Sequence, residues 1–151
     1  MQYIHLPSGL TGFRNSKTTI EVAQSGQEVY LLHGELERDE APSCPECGQK
    51  MHIHGSRITM LRHLCVGSRL SAVSFEKRRY RCPCCGHTEM ESVPFKANGH
   101  NITRELLRFT RDLLVYGFTN KEVSELTGLG KNTVQEIALQ RPKATYTVDG
   151  Q

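Results

Sequence analysis

The sequence predicts an α+β chain: an amino-terminal β-hairpin module, a β-ribbon bounded by cysteines, and a carboxy-terminal unit of three helices. Three observations predict it. Two copies of the pattern C-P-x-C-G, Cys44-Pro45-Glu46-Cys47-Gly48 and Cys82-Pro83-Cys84-Cys85-Gly86, bracket the middle of the chain. Residues between and before them alternate apolar and polar, the period of strands. After residue 102 the apolar period becomes helical and resumes across a Gly-Leu-Gly break. The expected boundaries are 1–43 for the hairpin module and linker, 44–86 for the ribbon, 87–101 for a linker, 102–142 for the helices and 143–151 for a polar, disordered tail.

In the first part, residues 18–23 and 28–36 alternate around Ser25-Gly26-Gln27, which reads as a hairpin with a Gly-containing loop. Residues 37–43 are charged and contain a proline, so they read as a linker. His5 and His33 have no partner at ligand spacing and read as ordinary histidines.

In the second part, each Cys-x-x-Cys turn can aim two sulfurs at one ion, and the following glycine lets the backbone bend beneath them. Two turns supply Cys44, Cys47, Cys82 and Cys85, the tetrahedral thiolate set of one structural Zn²⁺. The competing reading is a set of free or disulfide-bonded thiols. Knuckle spacing in a chain that opens with no charged-then-apolar leader disfavours it. Cys84 occupies the variable position of its knuckle and Cys65 reads as a small apolar thiol. His52, His54, His63 and His87 lie near in sequence, but four thiolates already fill a tetrahedron, which also argues against a catalytic zinc with an open position. Residues 57–64 and 70–81 read as an antiparallel strand pair turning at Val66-Gly67-Ser68. Two strands alone are marginal in water. The metal is therefore expected to hold this unit together.

In the third part, Thr103 is placed to cap a helix over 104–116, with Ile102 and Leu107 as a staple and Leu106, Phe109 and Leu113 on one face. Gly117 is a fitting stop. Thr119 and Glu122 form a capping box for a short helix ending at Gly128, and Leu129-Gly130 turns into a last helix over 131–140. Val123, Leu126, Leu129, Val134 and Ile137 make a shared apolar stripe. This is helix-turn-helix patterning, in which the front of the last helix enters a major groove. Lys131, Asn132, Thr133 and Gln135 are the candidate base and phosphate contacts there. A plain three-helix fold without a nucleic-acid partner is the bland alternative.

Charge supports the sharper reading. The 151-residue chain has a net charge of only +3. Residues 1–43, however, carry three basic and six acidic side chains, whereas 56–81 carry seven basic and one acidic. Arg62, Lys77, Arg78, Arg79 and Arg81 are the candidate phosphate contacts of that block, against a reading as a merely solvated face. With 37% hydrophobic residues and no tryptophan, small metal-stapled units are expected rather than one large core. No apolar run approaches a membrane span, and a soluble cytoplasmic, nucleoid-associated protein with no small-molecule substrate is expected.

The two knuckles, His54-Gly55, Arg62-His63-Leu64, Arg78-Arg79-Tyr80-Arg81 before Cys82, and Thr103 with the helices after it resemble the amino-terminal part of insertion-sequence transposases of the ISL-three type, over roughly residues 44–140. The resemblance implies a zinc ribbon and helix-turn-helix that bind terminal inverted repeats in double-stranded DNA. It also implies a later RNase-H-like catalytic domain, which this sequence lacks, so no nuclease activity is expected. Cys65 stands where the family usually carries proline, and Gly130 where a serine-like cap is usual. The expected function is sequence-specific DNA binding, with homodimerisation left open. The alternatives are a stand-alone repressor or antitoxin-like regulator and, from another class, a zinc-stabilised adaptor using the acidic amino-terminal hairpin.

Overall fold

A computed structural model describes residues 10–140, so the expected tail and His5 lie outside the described residues. The chain divides into two compact units after Thr103.

The first unit is a mixed sheet. β1 (Phe13–Val22) and β2 (Glu28–Leu36) form the expected hairpin, β3 (His52–Val66) and β4 (Arg69–Arg81) the expected ribbon pair, and β5 (Thr88–Met90) is a short addition. The strand order is β1-β2-β4-β3. β2 runs parallel to β4 over Val29–His33 and Leu70–Ser74. β3 pairs antiparallel along the length of β4, so β5, paired at Arg79–Arg81, follows β2 on the other edge. The ribbon strands are therefore not alone, as the sequence reading had them. β4 is hydrogen-bonded on both sides, and packing as well as metal holds it.

That packing is aromatic. Phe13, Phe75 and Phe95 meet edge to face, with ring centroids 5.4–6.5 Å apart. Leu32, Leu36, Leu61, Val73 and Val93 complete the cluster. Gly34 is required here, because a Cβ would collide with the Arg14 carbonyl oxygen and the Phe13 ring. Val93 and Phe95 come from the segment expected as a loop. Its charged end is also fixed: Glu91 accepts from Arg38 Nε at 2.6 Å and from the Arg78 backbone N–H at 3.0 Å.

β3 has a second neighbour. The Arg62 N–H donates to Asn101 O and the Thr103 N–H to Arg62 O. Beside this bridge His63 is buried, its Nδ1 2.8 Å from Thr103 Oγ1.

The second unit holds α1 (Arg104–Val115), α2 (Asn120–Thr127) and α3 (Lys131–Gln140). The capping box predicted at Thr119 and Glu122 is present, and Gly128 ends α2 in a left-handed conformation with φ 76°. Two apolar assignments were misplaced. Phe109 and Leu126 are 40% and 48% exposed, while Thr110 and Thr127 are buried. The threonine hydroxyls donate to the carbonyls one turn back, at Leu106 and Val123, so each enters an apolar face with its hydrogen bond made. No helix among the described residues is long and apolar enough to cross a membrane.

Candidate metal centre and cationic strand face

The knuckles are built alike. Gly48 and Gly86 adopt φ of 79° and 78°, and their N–H groups donate to the carbonyls of Cys44 and Cys82. A side chain at either position would force a left-handed backbone that only glycine adopts freely. The next hydrogen bonds also correspond: the Cys44 N–H reaches Gln49 O and the Cys82 N–H reaches His87 O. In each knuckle a backbone N–H, of Glu46 or of Cys84, lies 3.4 Å from the first sulfur. The first thiol of each pair is buried with Met51 and Tyr80, and the second is exposed.

β4 ends in the second knuckle, and β3 begins just after the first. Their antiparallel register, His52 opposite Arg81, therefore brings the two turns together. Cys44 Sγ stands 3.6 Å from Cys85 Sγ, and Cys47 Sγ stands 3.3 Å from Cys82 Sγ. All four sulfurs lie within 4.8 Å of one another. A tetrahedron of thiolates about 2.3 Å from zinc has S···S edges of about 3.8 Å. The set fits one structural Zn²⁺, and the separations far exceed a disulfide bond of about 2.05 Å. Cys84 is exposed and outside this group.

Backbone hydrogen bonding from Cys85, with contributions from the Cys47 thiol and the Cys84 N–H, pushes Cys82 down to about 6 against its burial. At Cys47 a backbone hydrogen bond from Gln49 lowers the pKa. The Cys82 thiol, burial and the remaining two thiols outweigh it and push it up to about 12. A dication bound by the four sulfurs would displace their protons. Four thiolates leave no coordination position for substrate or water, so the centre is suited to structure.

The pleat of β4 sorts the expected phosphate contacts. Lys77, Arg79 and Arg81 alternate with Glu76, Arg78 and Tyr80. Arg57, absent from the expected contacts, pairs with Lys77 across the ribbon, and Gly55 pairs with Arg79. Among the described residues, Arg57, Lys77 and Arg79 have no ion-pair partner. Arg81 Nη2 lies 3.7 Å from where a Cβ would stand at Gly86, beside the second knuckle. Arg62 is half-buried, and burial lowers its pKa. In the second unit Lys131, Asn132 and Gln135 are exposed at the start of α3, and Thr133 is half-buried.

The two knuckles and the antiparallel strands between them form a zinc-ribbon-like segment within the mixed sheet. Residues 40–85 match the family model described as the zinc-finger of transposase IS204/IS1001/IS1096/IS1165, consistent with the amino-terminal part of an ISL-three-type transposase. No curated protein and no solved structure matches the chain.

Proposed function

We propose that this chain is a zinc-stabilised, sequence-specific DNA-binding protein that recognises terminal repeats as part of an insertion-sequence transposase. The observation that carries this reading is the gathering of Cys44, Cys47, Cys82 and Cys85 into one site inside a segment matching a transposase zinc finger. Unpaired cations on the ribbon support a phosphate-binding role for it.

The helices read best as a helix-turn-helix. α2 and α3 are joined by Gly128, Leu129 and Gly130 alone, and the buried Leu129 packs the turn. Ser124 Oγ donates to Leu129 O, and the Leu129 N–H donates to Thr127 Oγ1. The connection is thereby fixed from α2. Asn132 and Gln135 are the base readers and Lys131 a phosphate or guanine contact.

Selection of bound duplexes from a random pool, with metal analysis of the same sample, tests this. One enriched motif from zinc-loaded protein is expected. A pool that stays random, with zinc fully bound, would overturn sequence-specific recognition.

A further inference from the structure

Between β3, β4 and β5 lies an open concavity of about 280 Å³, lined by residues 54–57 of β3, Lys77 and Arg79 of β4 and Met90 of β5. Three cationic side chains and no carboxylate line it. The strand registers explain this. Arg57 faces Lys77 and Gly55 faces Arg79, while Arg79 also faces Met90 of β5. Glu76 and Arg78 alternate to the other side of β4, where the Glu91 carboxylate pairs with the Arg38 guanidinium at 2.6 Å and the Arg78 charge also favours its ionised form. The opposite side of the strand is thus internally compensated, and this side is not. Gly55 sits at a β-bulge with open space where a Cβ would be, which leaves the floor accessible.

We infer that this concavity is a phosphate-binding site, with the duplex backbone as the source of phosphate, and that Arg57, Lys77 and Arg79 form it as a unit while Arg78 does not. The inference rests on the DNA-binding reading for its source of phosphate, but not for its chemistry. Guanidinium forks match phosphate oxygens bidentately, and a lysine adds a point charge. Contacts of this kind position a protein on DNA without reading sequence.

Two measurements on the zinc-loaded full chain test it. In the first, inorganic phosphate is titrated and followed by amide NMR. Shifts concentrated at Gly55, Arg57, Lys77 and Arg79 are expected; resonances there that stay still, or move no more than those of other cationic residues, overturn the site. In the second, duplex affinity is measured against salt for Arg57→Ala, Lys77→Ala and Arg78→Ala. Each of the first two is expected to reduce the log–log salt slope by about 0.9, and the third to leave it unchanged. Equal slopes for wild type and both pocket variants overturn the site even if DNA binding is intact. Phosphate shifts at the pocket in a chain that binds no duplex would leave the phosphate chemistry of the site standing but overturn the duplex as its source, and with it the DNA-binding function.

Discussion

Cys47 and Cys82 lie 35 positions apart in the chain, yet their sulfurs stand 3.3 Å from each other. The contact crosses from one knuckle to the other, as does that of Cys44 with Cys85. An ion at this site therefore ties two segments rather than closing one turn. Apparent zinc binding of roughly 10–16 kcal/mol in finger peptides sets the scale of such a tie.

Replacing Cys47 or Cys85 by serine should release the metal and unravel the knuckles, from about residue 43 to 50 and 82 to 87. Zinc content and circular dichroism check this. Full zinc stoichiometry in either variant would reject the four-sulfur site.

Burial pushes His63 down to about 4, below the ordinary 6.5 of an unfolded histidine. The folded chain therefore holds the ring neutral while the unfolded chain takes up a proton. The stabilisation is complete above pH 6.5, declines as pH falls, and levels off below about 4. Its size is at most about 3 kcal/mol. Acid also protonates the thiols, so the comparison is with His63→Gln, whose stability should lose this component of the slope. Parallel stability–pH curves for the two proteins between pH 6.5 and 4 would contradict it.

Arg38 and Glu91 form a largely enclosed pair at 2.6 Å. Burial raises the Glu91 pKa, but the Arg38 guanidinium and the Arg78 backbone N–H outweigh it, and the net shift is downward. The carboxylate's contribution is present above its unfolded pKa and is lost as pH falls through the folded one. Glu91→Gln strands the Arg38 charge and should cost about 1–3 kcal/mol in urea unfolding near neutral pH. An unchanged midpoint would mean the pair is replaced by water at no cost.

On the proposed DNA reading, Asn132→Ala and Gln135→Ala should each flatten sequence preference by about 1–3 kcal/mol at one base position, with the salt slope preserved. Competition between the selected site and scrambled duplexes measures it. A uniform loss on all duplexes would make these residues backbone contacts.

The metal set was legible because ligand geometry dictates spacing: a C-P-x-C-G pattern repeated twice leaves little freedom. The capping box at Thr119 and the left-handed glycine at Gly128 were legible for a similar reason, since a single residue type satisfies each local need. The pairing of β2 with β4 was not. A period of two tells which face a residue takes but not which strand lies beside it, and a parallel partner needs no turn signal. Phe95 was missed because one aromatic in a polar segment carries no period. Thr110 was missed because its burial depends on a hydrogen bond to Leu106 that composition does not reveal. The basic block was visible, but that Arg57 stands opposite Lys77 and Gly55 opposite Arg79 required the register.

β4 belongs to two neighbourhoods at once. Val73 and Phe75 sit in the aromatic core, and Tyr80, five residues on, sits with the sulfurs. Chelation should accordingly erode this strand from one end instead of dissolving it. Deuterium uptake after metal stripping would rise steeply at residues 79–81 and barely at 72–75, a gradient along a single β-strand.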